Sequence, residues 1–400
     1  MIGSNQNRWL LPEGIEELLP STGWRLEHCR REILDLFHSW GYDLVSPPLI
    51  EYLESLLVGN SDDLDLKTFK TVDQSTGRLL GVRSDITPQV ARMDAHQIKR
   101  DVPTRLCYQG EVLHARLDDW ESVRNPLQIG AELYGDAGVG SDIEIIHLML
   151  QTLNLAGYQN LHIDLGHSEI FRALATQAEL SVTQEQQLFE ILQRKSRPDL
   201  DIFLAEQVKQ ESDRKKLHLL VDLHGDSSVL NTARDQFSDN SVVADALDVL
   251  QSVFDQLSGL STVTWHFDLA ELRGYHYHTG LVFSAYQAGC NQALAQGGRY
   301  DNIGEDFGRA RPATGFSFDL RALTLNASTS CNADNTQQTI LAPDSLDEEL
   351  QSAIDRLRTQ GNRVIRLLPE QSDHAAAMGC DSVLVREDKQ WVVKEINDEK

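Results

Sequence analysis

The sequence predicts an α+β chain: an antiparallel sheet with flanking helices, a helical insertion, and a small C-terminal α/β unit. Three observations carry this expectation. Helix and strand patterns come in the order helix, several strands, a long helical stretch, strands, helix, which favours an antiparallel α+β domain over a parallel doubly wound sheet. The stretch from about 168 to 257 is helical and polar, with Pro198 its single proline. Asn326 to Gln338 is small, polar and without periodicity, and reads as a linker. The expected division is therefore a main domain from 8–167 and 258–325, an insertion at 168–257, a linker at 326–338 and a C-terminal domain at 339–396.

Residues 1–7 carry no structural signal. From Trp24 to Trp40, Leu26, Cys29, Ile33, Leu36 and Phe37 recur at helical spacing, and Gly41 stops the helix. DLVSPPLIE follows as a strand broken by Pro47 and Pro48. Proline cannot donate to a ladder, which places this strand at an edge or an interface. Leu79–Val82, Arg105–Leu113 and Leu127–Tyr134 read as strands. A helix is expected to begin near Ser141, with Glu144 completing a capping box, with Ile143, Ile146, Leu150 and Leu153 as its buried stripe, and with Gly157 ending it. Leu161, Ile163 and Leu165 alternate as a strand, and strands resume at Thr264–Leu269 and Leu281–Tyr286. Beyond the linker, TILAP, a helix near Leu346–Gln360, RVIRLLP, SVLVR and WVVKEI make the small acidic α/β unit.

Composition narrows the function classes. Apolar content of 41% and charged content of 24% are those of an ordinary globular protein, but the formal net charge is −25. A tRNA-holding chain usually carries a basic face, so this charge argues against nucleic acid. Five widely spaced cysteines form no CxxC pair, which suggests neither a zinc site nor a disulfide framework and points to a reducing, cytoplasmic compartment. No signal segment and no apolar run of bilayer length is apparent.

Taken singly, the polar residues leave their roles open. Gly135, Gly138 and Gly140 precede a helix, but Asp136, Asp142 and Glu144 already place negative charge where a phosphate would sit, so a plain strand-to-helix turn is favoured. His276 and His278 would share one side of a strand, yet no third ligand completes a metal site, and ring stacking or ligand contact is favoured. Arg273 beside Gly274 suits a bidentate bond to a carboxylate or a surface ion pair. Asp85, Gln128 and Glu132 lie near strand ends, as site residues or as structural polar groups.

Together these segments resemble the class II histidyl-tRNA synthetase domain, from about Trp9 to Leu325. GYDLVSPPLIE resembles the first class II motif, which implies dimerisation there. GVRSDITPQVAR resembles the segment that offers a carboxylate and a threonine to the amino group of histidine, at Asp85 and Thr87. NPLQIGAELYG resembles the end of the second motif and supplies Gln128 and Glu132 to the same pocket. RGYHYHTG and GGRYD resemble the histidine-specific segments and supply Arg273, Tyr277 and Tyr300, with His278 where the family usually has a second tyrosine. These types suit free histidine: carboxylates and hydroxyls for an ammonium, Arg for a carboxylate, and acid, amide and aromatic groups for an imidazole.

The ATP side departs from that family. Its phosphate-clamping Arg and adenine-reading Glu fall on His114 and Arg116, and the third motif's Gly, Glu and Arg fall on Asp319, Arg321 and Ala322. Arg321 cannot stand in for the lost Arg, because neighbours on a helix point about 100° apart. Each lost charge-assisted bond is worth about 1.5–3 kcal/mol, so adenylate formation is not expected. RWLLPEGIEELLP, the run from Asp63 to His96, and QIGAELYG resemble the regulatory subunits of ATP phosphoribosyltransferase, a family of synthetase paralogues. That resemblance implies a non-catalytic partner of the short-form catalytic subunit in a hetero-octamer of four and four. It also implies activation and histidine feedback in the first step of histidine biosynthesis, no cofactor in this chain, and Mg²⁺ at the partner's active site. Neither tRNA nor membrane is an expected partner. A catalytic histidyl-tRNA synthetase and a free-standing histidine-binding protein are the alternatives.

Overall fold

The computed structural model describes residues 9–57, 62–116, 123–260, 262–271, 274, 277–290, 292–305, 307–326, 338–369, 371 and 375–396. The chain divides into two compact units, Met1–Cys331 and Asn332–Lys400. Nearly all of the expected linker, with Arg273 and His276, lies outside the described residues.

In unit one the strands are β1 (Asp43–Val45), β2 (Ile50–Tyr52), β3 (Phe69–Val72), β4 (Leu79–Val82), β5 (Thr104–Glu111), β6 (Leu127–Tyr134), β7 (Leu161–His167), β8 (His224–Gly225), β9 (Val263–Asp268), β10 (Leu281–Gln287), β11 (Ala295–Arg299) and β12 (Ala313–Asp319). Nine of them form one sheet in the order β1-β5-β6-β12-β11-β10-β7-β9-β8, and β2-β4-β3 form a separate antiparallel sheet. The centre of the large sheet is antiparallel as expected, but β1–β5 and β7–β9 are parallel. The reason is connectivity: each pair is joined by a long crossover, which a parallel pair requires. β1, just before the two prolines, is the sheet's edge strand.

The helices are α1 (Pro20–Ser39), α2 (Leu53–Leu56), α3 (Asp62–Lys67), α4 (Thr87–Met93), α5 (Val139–Leu155), then α6 (Ser168–Gln177), α7 (Val182–Gln193), α8 (Arg197–Gln207), α9 (Glu211–Leu219), α10 (Ser228–Gln236), α11 (Ser241–Leu257) and finally α12 (Leu320–Asn326). The insertion read from the sequence is α6 to α11, with the short strand β8 inside it. α1 starts on Pro20, where the missing amide hydrogen costs nothing. It buries Leu26, Cys29, Ile33 and Phe37, and the chain turns at Gly41 with φ 82°.

α5 differs from expectation. It begins two residues earlier, with Gly138 as N-cap and no side-chain cap. Ser141 lies inside the first turn and donates to the Gly138 carbonyl at 2.7 Å. Glu144 instead takes a two-pronged bond from Arg105 at 2.7 and 2.6 Å and one from the Tyr42 hydroxyl at 3.0 Å. The capping box fails because a tertiary arginine outcompetes a local amide for the carboxylate. Ile143 is only half-buried, and Ile145, Leu148 and Met149 join the buried stripe.

One face of the large sheet carries Cys107, Ile129, Ala131, Leu133 and Phe316 into the main core, under α1, α5 and α11. Phe37 meets Phe316 edge to face at 5.9 Å. The opposite face carries a second cluster built from Ile86, Val90, Leu106, Tyr108, Tyr134, Tyr300 and Ala313. Cys29 is disulfide-bonded, which the wide cysteine spacing did not suggest, whereas Cys107, Cys290 and Cys380 are free thiols.

In unit two, β13 (Thr339–Ala342), α13 (Glu348–Thr359), β14 (Arg363–Arg366), β15 (Ser382–Glu387) and β16 (Gln390–Glu395) make a four-stranded sheet in the order β14-β13-β15-β16. Only the β15–β16 pair is antiparallel. α13 covers it with Leu350, Ala353 and Ile354 against Ile340, Val364 and Leu384.

Candidate functional site

The site is built on the second face of the large sheet. Strand alternation puts Gln128, Glu132 and Tyr134 of β6 on that face together with Tyr108 of β5 and Ala313, Gly315 and Ser317 of β12. Glu132 is its centre and is 1% exposed. Oε1 accepts from the Thr87 hydroxyl at 3.0 Å and from the Tyr108 hydroxyl at 3.0 Å, and Oε2 accepts from the Tyr300 hydroxyl. Gly315 lies directly opposite Glu132 in the β6–β12 register, and a Cβ there would fall inside the carboxylate. Burial pushes the Glu132 carboxyl up to about 8, against the bonds from Tyr300, Thr87 and Tyr108 that favour its ionised form. Burial, with Glu132 adding to it, also raises the Tyr108 and Tyr300 hydroxyls well above their usual range.

Asp85 and Thr87 stand at the turn that starts α4. Asp85 Oδ1 accepts the Thr87 amide at 3.1 Å and the Gln128 side-chain amide at 2.7 Å. Gln128 closes the turn from the other side by accepting the Ile86 amide at 2.9 Å. Gln128 thus positions the turn. Tyr277 stacks on Tyr300 with ring centroids 5.0 Å apart and planes 27° apart, and Tyr134 meets Tyr300 edge to face at 6.4 Å. The Tyr277 hydroxyl is buried without a hydrogen-bond partner among the described residues. Residues 277 and 278 lie in a turn, not on a strand: both amides donate to the Gly274 carbonyl at 2.8 Å. His278 packs edge-on to Tyr277 and over Gly298, where a Cβ would come within 2.6 Å of its ring.

The structure therefore brings together Asp85, Thr87, Gln128, Glu132, Tyr277 and Tyr300. Arg273 lies outside the described residues. Sequence reasoning missed Tyr108. The signal was there, since Leu106 and Tyr108 alternate with Cys107 on one strand, but nothing local said which face was the site. In GGRYD, Tyr300 faces the site while Arg299 turns to the other side and holds the start of α5. Arg299 donates to the Asp136 and Gly138 carbonyls, to Ser141 and to the buried carboxylate of Asp142 at 2.9 Å.

Of the positions aligned with a nucleotide grip, His114, Asp319 and Arg321 bond the chain's own backbone. The His114 ring contacts the Ser84 carbonyl at 3.1 Å. Arg116 is exposed. Asp319 accepts the amides of Leu127 at 3.0 Å and Arg321 at 2.9 Å and so caps α12. Arg321, 4% exposed, donates to the Glu16 carbonyl at 2.9 Å, and Ala322 offers no polar group. Arg124 donates to the carbonyls of His114, Ala115 and Glu13. No group of metal-binding side chains occurs among the described residues, and no described helix is long and apolar enough to cross a membrane.

The histidyl-tRNA synthetase family model matches residues 14–323, and the model for the ATP phosphoribosyltransferase subunit HisZ C-terminal domain matches residues 337–394. The chain is 52% identical, over 98% of its length and 100% of the relative's, to an ATP phosphoribosyltransferase regulatory subunit of Thioalkalivibrio sulfidiphilus. A solved structure from Bacillus halodurans, described as an ATP phosphoribosyltransferase regulatory subunit/histidyl-tRNA synthetase, is similar with a TM-score of 0.81 at 26% identity, covering 93% of this chain and 96% of that one. The histidyl-tRNA synthetase of Nostoc sp. shares the fold, with a TM-score of 0.77 at 16% identity over 97% of both chains.

Proposed function

Because this chain belongs to the family of ATP phosphoribosyltransferase regulatory subunits, on a class II histidyl-tRNA synthetase-like fold, we propose that it binds free histidine in the Glu132 pocket and catalyses nothing itself. In this reading it pairs with the short-form catalytic subunit as a hetero-octamer, dimerising through the β1 region. It activates that subunit and makes it sensitive to histidine, the end product of the pathway. Mg²⁺ serves the partner's site, and the chain works in the cytoplasm without tRNA.

The supporting observation is the contrast between two sets of residues. Around Glu132, three hydroxyls converge on a buried carboxylate and the Tyr277 hydroxyl has no partner among the described residues. On the nucleotide side, His114, Asp319 and Arg321 are satisfied by backbone groups of the chain itself. Asp85 and Thr87 would meet the ligand's ammonium, and Glu132 with the Tyr277–Tyr300 stack its ring. Regulation requires that histidine bind one state of the complex more tightly than the other, since a ligand shifts an equilibrium only by its differential affinity.

The test is phosphoribosyl-ATP formation by a purified short-form catalytic subunit, with and without this chain, titrated with histidine. A rate raised by the chain and lowered by histidine is expected. No change in either would sink the proposal.

A further inference from the structure

Resting on the histidine-pocket reading above, we propose that Arg311 and Asp94 are positioning residues for the ammonium end of the pocket: their ion pair holds α4 so that Asp85 and Thr87, at its start, stay in place for the ligand's ammonium. Arg311 stands just before β12. Its Nη1 donates to both oxygens of Asp94, at 2.8 and 2.9 Å, and its Nη2 donates to the Val102 carbonyl at 2.8 Å. Both side chains are nearly sealed from solvent, at 9% and 3% exposure. Gly135, with φ 92°, leaves the space that the guanidinium fills.

The connections from this pair close a ring around the site. On one side Asp94 directly follows α4, whose first residue, Thr87, donates to Glu132 Oε1. On the other side the Tyr300 amide donates to the Ala313 carbonyl at 2.8 Å, and the Ala313 amide donates to Asp301 at 2.9 Å. Two residues upstream of Ala313 is Arg311, and Tyr300 donates to Glu132 Oε2. The two walls that grip one carboxylate are therefore joined behind the pocket by the buried Arg311–Asp94 pair, with Arg309 adding an outer link to Asp101 and the Arg100 carbonyl. α4 spans about 10 Å and moves as a rod, so displacement at Asp94 is felt at Thr87. Beyond Asp94 the helix passes into a π-turn, Asp94–Ile98, closed by Lys99 at φ 51°. Such turns are rare and interrupt the regular helical ladder, and Arg311 anchors the chain where this one begins. A buried ion pair is often no more stabilising than apolar residues of the same volume. Its contribution here is directional.

Two variants of the full chain test this by calorimetry against histidine and against imidazole-propionate, which lacks the α-amino group. Arg311→Lys keeps the buried charge but loses the two-pronged geometry. The pair Arg311→Met with Asp94→Leu removes the ion pair without stranding a charge. In both, histidine affinity is expected to fall about tenfold, the loss of one charge-assisted bond, while imidazole-propionate affinity is unchanged. An equal fall for both compounds would mean that the pair only holds the fold, and no fall for histidine would mean that it positions nothing. Either result overturns the inference while leaving the histidine reading intact. If the unaltered chain binds no histidine, that reading fails and this inference with it.

Discussion

Glu132 and Gly315 face each other across the β6–β12 pairing, and the carboxylate of one occupies the space that a side chain on the other would need. The placement of Glu132 thus depends on a missing side chain on one strand as much as on the groups present on the next. Gly315→Ala is expected to displace Glu132 and abolish histidine binding, and overpacking at such a site costs about 1–3 kcal/mol of stability. Calorimetry and thermal unfolding of the variant read the two effects separately. Normal histidine affinity in Gly315→Ala would remove Glu132 from the pocket's centre.

Glu132 also imposes a pH dependence on folding. Its carboxyl is raised by burial from 4.5 to about 8, so between those values the folded state holds a proton that the unfolded state has released. Stability from this group is therefore unaffected below pH 4.5, falls as pH rises through the window, and levels off above about 8. The slope approaches about 1.4 kcal/mol per pH unit. Denaturant midpoints from pH 5 to 9 should show this decline in the unaltered chain and lack it in Glu132→Gln. Parallel profiles would show that Glu132 does not carry it.

The Tyr277 hydroxyl is buried and unpartnered among the described residues, while the ring stacks on Tyr300. Tyr277→Phe keeps the stack and removes a desolvated group, so the free chain should be as stable or more so. Histidine binding should weaken, by about 0.5–1.5 kcal/mol for one neutral hydrogen bond. Stability lost with affinity retained would reverse the assignment.

Arg321 serves the fold. It is buried, and its Nη1 holds the Glu16 carbonyl of the N-terminal segment. Arg321→Ala should cost about 1.5–3 kcal/mol of stability by removing that charge-assisted bond, with Asn125 still donating to the same carbonyl and with histidine affinity unchanged. Neither the variant nor the unaltered chain should show histidine-dependent ATP–pyrophosphate exchange. Exchange by the unaltered chain would restore a catalytic reading.

Much of this was legible in the residue order. The 3.6-residue period of Leu26, Cys29, Ile33 and Phe37, the alternation of Leu161, Ile163 and Leu165, and the glycine stops at Gly41 and Gly157 follow from local rules, because helix and strand periodicity is a property of neighbouring residues. The resemblance of the segments carrying Asp85, Thr87, Gln128, Glu132 and Tyr300 to the histidyl-tRNA synthetase family marked them as one candidate site. Only the tertiary structure decided which partners those groups took. Tyr108, distant in sequence, supplies the third hydroxyl on Glu132. Glu144 went to Arg105 in place of an N-cap. Arg299 turned away from the site that its neighbour Tyr300 enters. Parallel pairing of β7 with β9 depended on a crossover spanning the whole insertion. The physical reason is the same in each case. Hydrogen bonds and ion pairs go to whichever partner burial brings within about 3 Å, and that proximity is set by packing between segments far apart in the chain.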